Sequence, residues 1–140
     1  MSKVFFDTNL FIYLVEDYGE LSKRVAEVWE NMKVRKDNLY TSTFTLAEVL
    51  VKPRSVDDTA GMDRFERLLA AAATLIPFDE KAARKYAVVR QDQSIKPPDA
   101  IQLACAATVG IDLFITNDQR LSRKTVPGIH FITSLGNAYL

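Results

Sequence analysis

Five short apolar runs, each separated from the next by sequence of helical periodicity, constrain this chain more than any other feature. Residues 3–6 (KVFF), 39–42 (LYTS), 74–78 (TLIPF), 113–116 (LFIT) and 130–133 (HFIT) have the length and the β-branched or aromatic content of strands. Between them, residues 10–16, 21–34, 43–51, 62–73, 80–92 and 99–109 predict helices. Leu21, Val25, Val28, Trp29 and Met32 recur at helical spacing, which assigns Trp29 to the core. Residues 53–61 carry proline, glycine and several small polar residues and predict a loop, and Pro97-Pro98 ends another loop and leads into a helix. Strands alternating with helices predict an α/β domain with a parallel sheet covered on both faces. The 140 residues, 1–140, suffice for one such domain with a real core.

The same sequence excludes several classes of chemistry. No run approaches the roughly 18–20 apolar residues of a membrane span. The apolar N-terminal stretch is short and interrupted by Asp7 and Asn9, so a secretory leader is not expected and a cytoplasmic location is. Cys105 is the only cysteine and stands in the apolar run Leu103-Ala104-Cys105-Ala106-Ala107, which predicts a small core residue. His130, the only histidine, lies in a separate strand-like segment, which leaves neither a Cys-His nor a Ser-His-Asp arrangement. No glycine-rich phosphate loop is present. Lys plus Arg and Asp plus Glu number 18 each, a balance that weakens a nucleic-acid reading. Four acids gathered round a cation would leave 18 basic residues against 14 acidic ones elsewhere.

In open parallel sheets, ligands bind outside the carboxyl ends of the strands, where the strand order reverses. Asp7 directly follows the first run and Asp118 follows the fourth after Thr116-Asn117, whereas Asp112 precedes that run and falls at the opposite edge. Asp79, before Glu80, reads as a helix cap. Glu48 stands in the largely apolar Phe44-Thr45-Leu46-Ala47-Glu48-Val49-Leu50, and Asp99 heads the apolar helix Ala100-Ile101-Gln102-Leu103-Ala104-Cys105. Buried-looking helices seldom carry a charge unless it is paired or binds a metal. Each acid also has a structural reading: Asp7 a helix cap, Glu48 a capping box with Thr45 or a solvated helical residue, Asp99 a favourable charge at a helix start, Asp118 a turn residue.

Taken together, Phe5-Phe6-Asp7-Thr8-Asn9, Thr45-Leu46-Ala47-Glu48-Val49, Pro98-Asp99-Ala100-Ile101-Gln102-Leu103-Ala104 and Ile115-Thr116-Asn117-Asp118 resemble the PIN-domain family, most of all the VapC-type ribonuclease toxins of type II toxin–antitoxin pairs. The resemblance runs from residue 3 to about residue 133, with the four motifs in the family's order. It implies a three-layer sandwich whose five-stranded parallel sheet has the order 3-2-1-4-5 and is flanked by helices. It also implies that Asp7, Glu48, Asp99 and Asp118 are the catalytic and metal-binding acids, with Asn9 and Thr116 supporting them. A homodimer and a VapB-type antitoxin covering the acidic pocket are further implications.

Carboxylate oxygens are hard ligands, suited to Mg²⁺ with Mn²⁺ as an alternative. The chemistry expected is hydrolysis of RNA phosphodiester bonds by a metal-activated water, leaving a 5′-phosphate and a 3′-hydroxyl. Lys52, Arg54, Arg84, Lys85, Lys96, Arg120, Arg123 and Lys124 are candidate RNA contacts, with Arg120 and Lys96 favoured because they adjoin acidic motifs. A phosphatase of the Asp-x-Asp type is disfavoured, because position 9 is asparagine. Two alternatives stay open: a PIN-domain nuclease of RNA processing, and a catalytically inert PIN-like module that binds RNA or protein.

Overall fold

Short, continuously apolar strands require cover on both faces of the sheet, and the chain provides it. In the computed structural model, which describes residues 1–138, β1 (Lys3–Phe6), β2 (Asn38–Ser42), β3 (Thr74–Ile76), β4 (Ile111–Thr116) and β5 (Ile129–Ser134) form one sheet of order β3-β2-β1-β4-β5. Every pairing is parallel. The helices are α1 (Thr8–Val15), α2 (Glu20–Arg35), α3 (Thr43–Ser55), α4 (Thr59–Ala72), α5 (Glu80–Val89) and α6 (Pro97–Val109). The strand order expected from the resemblance is the one observed.

Strand alternation sorts the core into two halves. Val4, Phe6 and Ile115 face one way, onto Leu10 and Phe11 of α1, Val25, Val28 and Met32 of α2, Val49 of α3 and Phe65 and Leu69 of α4. Phe5 and Phe114 face the other way, onto Ala82 and Val89 of α5 and Ala100, Leu103 and Ala106 of α6. Their rings stack at 4.7 Å with planes 8° apart. The small residues of α6 let that helix lie close to the sheet, so that Ala100 and residues 102–107 are all buried. The fit is tight enough that a Cβ on Gly128 would stand 2.8 Å from the Ala107 carbonyl oxygen. Trp29 is half-buried against the first half, with Lys33 Nζ 5.4 Å from its ring centroid, so it covers the core rather than filling it.

Element boundaries differ from the sequence expectation in one region of consequence. The predicted loop over residues 53–61 shrinks to residues 56–58, since α3 runs to Ser55 and α4 begins at Thr59. Pro53 is tolerated because it lies in the last turn of α3, where its missing N–H removes a single bond and little helix remains to be broken. Asp58 then restarts the helix by accepting from the Gly61 N–H at 2.9 Å. Asp112 lies inside β4 rather than before it, but at the amino end of the strand, where it accepts from the Lys3 N–H at 2.8 Å. Asp79 caps α5 as expected, accepting from the Ala82 N–H at 3.0 Å. No helix among the described residues is long and apolar enough to cross a membrane.

The reversal of strand order between β1 and β4 sets their carboxyl ends, and with them Asp7 and Asp118, side by side. Because the Phe5–Phe114 stack ties these two strands to the α6 layer, Phe114→Ala should destabilise the fold by about 3 to 5 kcal/mol. Urea denaturation measures this, and a loss below about 1 kcal/mol would show that the stack is not central to the core.

Candidate active site

Asp7 is the first residue beyond β1, and its own N–H still follows the sheet, donating to the Ile115 carbonyl at 3.0 Å. Its side chain is partly exposed and held by two hydrogen bonds. One carboxylate oxygen accepts from the Thr8 N–H and the other from the Thr116 hydroxyl, both at 2.9 Å. Burial nevertheless dominates: it pushes the Asp7 carboxyl up to about 6, against those two hydrogen bonds, and the charges of Asp99 and Glu48 push the same way. Asp7 thus caps α1, as its structural reading has it, and is also a desolvated carboxylate with acidic neighbours.

Asp118 is placed by the turn that follows β4. Its N–H donates to Thr116 Oγ1 at 3.1 Å, and its Oδ1 accepts from the Arg120 N–H at 2.9 Å. Thr116 therefore touches two of the predicted acids at once. Asp99, in the first turn of α6, makes no hydrogen bond among the described residues. Burial raises its carboxyl above the usual range, Asp118 adds to this, and Lys96 and Arg120 oppose it. Glu48 reaches the group from α3 on the opposite side of the sheet, where its Oε1 accepts from the Thr8 hydroxyl. The capping-box reading of Glu48 fails, because the cap of α3 is Ser42, which accepts from the Thr45 N–H at 3.2 Å.

The four acids thus come from four segments to one end of the sheet, close enough that Asp7 feels both Glu48 and Asp99, and Asp99 feels Asp118. Among the described residues no three histidine, cysteine or acidic side chains converge to enclose a cation. The donor set is nevertheless hard oxygen throughout, with Asp7 desolvated and Asp99 uncommitted, and this fits a hard divalent ion.

Beside Asp99 and Asp118 opens a cleft of about 330 Å³ whose other walls include Ser94, Lys96, Arg120, Arg123 and Lys124. Lys124 is held by Asp92 at 3.0 Å and Ser94 at 2.6 Å, and Arg120 Nε stands 3.8 Å from Asp118. Lys96 and Arg123 make no ion pair among the described residues. Of the other basic candidates, Lys52 and Arg84 pair with Glu16 and Glu80. Asn9, expected to support the acids, is exposed and has no hydrogen bond among the described residues. Beneath the site lie four buried residues, Gln102, Ser42, Thr41 and Thr45, of which the sequence assigned a role only to Thr45, in a capping box. The available signal was one polar residue within the apolar run of α6.

The PIN domain family model matches residues 4–126. The chain belongs to the PIN domain family. Solved structures share this fold over nearly the whole chain. A chain of the VapBC2 complex of Rickettsia felis, described as bound to a DNA fragment from their promoter, is 16% identical with a TM-score of 0.68 and matches 94% of this PIN domain and 98% of its own length. A chain of a toxin–antitoxin complex from Klebsiella pneumoniae is 23% identical with a TM-score of 0.66, over 90% of this chain and 94% of that one. A chain of DNA-bound VapBC from Salmonella typhimurium is 20% identical with a TM-score of 0.67, over 96% and 99%. No curated protein sequence matches.

The buried carboxylate gives this PIN domain a definite pH dependence. The folded-state pKa of Asp7 lies above its unfolded value of 3.8, so its contribution to stability is fully present below pH 4 and is lost as pH rises through 6. A shift of that size corresponds to about 3 kcal/mol. In chelator, the stability of Asp7→Asn relative to wild type should rise by roughly that amount between pH 4 and pH 7.5. Denaturant titrations at the two pH values test this, and a difference independent of pH would contradict it.

Proposed function

We propose that this PIN domain protein is a Mg²⁺-dependent endoribonuclease, with Mn²⁺ as an alternative ion, acting in the cytoplasm as the toxin of a VapBC-type pair. The observation that carries the reading is Asp7, a buried carboxylate raised to about 6 with Asp99 and Glu48 adding to the shift. Crowded, desolvated acids at a sheet's switch point are relieved by protonation at low pH, and a bound cation would relieve them at neutral pH. The family and the toxin–antitoxin complexes that share the fold favour the nuclease and toxin parts of the reading.

In this mechanism Asp7 and Asp99 would hold the ion directly, while Glu48 and Asp118 would complete a second site or hold its waters. When bound, the ion would supply Lewis acidity to activate a water and positive charge toward the phosphate oxygens. The protein's own part is positional. Thr116 fixes Asp7 and Asp118 against each other, and the turn at Arg120 keeps Asp118 facing the cleft. Lys96 and Arg123, with Arg120, draw the RNA backbone along the cleft and offset phosphate charge near the acids. Cleavage leaves a 5′-phosphate and a 3′-hydroxyl. An antitoxin of the VapB type inactivates the site by covering it, with an arginine paired to its carboxylates. A homodimer forms through the early helices, where Tyr18, its ring tilted against Tyr13 at 5.1 Å, and Val34 are exposed.

Purified wild type should cut RNA in Mg²⁺ and stop in EDTA, while Asp99→Asn should fold normally and leave the RNA intact. Wild-type cleavage rates in that variant would remove Asp99 from the site. Lys96→Ala and Arg123→Ala should each weaken RNA binding and lower its salt dependence, the slope of log K against log salt falling by about 0.7 for each phosphate that is no longer neutralised. Unchanged slopes would place the RNA elsewhere. Induction of the wild type without a partner should arrest growth, and normal growth with demonstrably active protein would argue for a role in RNA processing.

A further inference from the structure

Gln102 is the one polar residue among the buried positions of α6, and packing alone does not call for it. An unbonded amide in such a place costs a few kcal/mol, so its partners matter. Gln102 Oε1 accepts from the Ser42 hydroxyl, which in turn accepts the Thr45 N–H that begins α3. This sets the orientation of the amide. Its Nε2 then faces the hydroxyls of Thr8 at 2.9 Å and Thr45 at 2.7 Å, so both amide protons are used. Thr45 also lies 2.7 Å from the Thr41 hydroxyl, which donates to the Phe6 carbonyl at 2.9 Å.

Proton counting gives this network a direction. A hydroxyl has one proton to donate. Thr8 Oγ1 already accepts from Gln102, so its proton is free for Glu48 Oε1. With the amide turned over, Oε1 would face Thr8 and compete for that same proton. The orientation of Gln102 therefore decides whether Glu48 is held. Gln102 also lies three residues beyond Asp99, on the same face of α6.

We propose that Gln102 is a positioning residue of the acidic site: through Thr8 it fixes one oxygen of Glu48, leaves the other for the cation, and links the helices that carry Glu48 and Asp99. The proposal rests on the metal-dependent reading above. Groups that orient metal-binding carboxylates typically change affinity or activity by 10- to 100-fold when removed.

The test measures Mn²⁺ affinity by electron paramagnetic resonance, with kcat and KM for RNA alongside, in folded proteins verified by circular dichroism. Gln102→Met should weaken Mn²⁺ binding about tenfold and lower kcat with KM for RNA little changed. Thr8→Val, which cuts the same link with almost no change of shape, should do likewise, and Thr8→Ser should restore both. In a Glu48→Gln background the Gln102→Met effect on Mn²⁺ should vanish. Thr8→Val carries the decision if Gln102→Met does not fold. Wild-type Mn²⁺ affinity in the folded variants, or a Gln102→Met loss retained in full beside Glu48→Gln, would overturn the positioning role. A wild-type protein that neither binds Mn²⁺ nor cuts RNA would overturn the metal-dependent reading itself, and this proposal with it.

Discussion

Burying the carboxylate of Asp7 at the end of the central strand is the cost around which the polar part of this protein is arranged. Desolvating an ion costs several kcal/mol even after relaxation, and the protein offsets only part of it. The Thr8 N–H and the Thr116 hydroxyl satisfy the two oxygens, yet the carboxyl remains raised. No cationic side chain pairs with Asp7 among the described residues; Arg120, in the cleft, leans toward Asp118. A purely structural cap would be cheaper, since Asp58 and Asp79 cap their helices from exposed positions. Strain that the surrounding structure tolerates without relieving is the usual mark of a functional position.

Beneath the acids, the hydroxyls of Thr8, Thr41, Ser42 and Thr45 and the amide of Gln102 form a buried polar layer between the two halves of the core. In a low-dielectric interior such bonds are strong when all are made and costly when one is missing. Each of these side chains has a partner. Ser134 Oγ, at the end of β5, is by contrast a buried polar atom that lacks one among the described residues. The layer also joins helices that lie on opposite faces of the sheet, so α3 and α6 are held by directional bonds where apolar packing alone would permit sliding.

The neutral overall charge conceals a local separation. Acidic side chains gather at the carboxyl ends of β1 and β4, and basic ones line the cleft beside them. Lys96 and Arg120 both oppose the raised Asp99 carboxyl, so the two charge sets act on each other across a few residues. Counting charges over the whole chain therefore says little about which surface a polyanion would meet.

The sheet class was legible in the sequence because short, continuously apolar runs separated by helices have few other ways to bury both faces, and the strand order followed from the PIN-domain resemblance. Asp7 and Asp118 could be placed because they directly follow strands, and chain connectivity leaves them little choice of edge. Other features were decided only in three dimensions. Residues 53–61 read as a loop because proline and glycine usually break helices, but Pro53 falls in a last turn and Asp58 caps a new helix. Glu48 looked like half of a capping box, and only the crossing of α3 over α1 turns it toward Thr8. Gln102 stood out locally only as a polar residue in an apolar run, and what it does could not be read there, since its partners lie 57 to 94 residues away along the chain. Local sequence determines which backbone conformations are cheap and which faces are apolar; which hydroxyl meets which amide depends on how finished elements pack, and that is information no single segment carries.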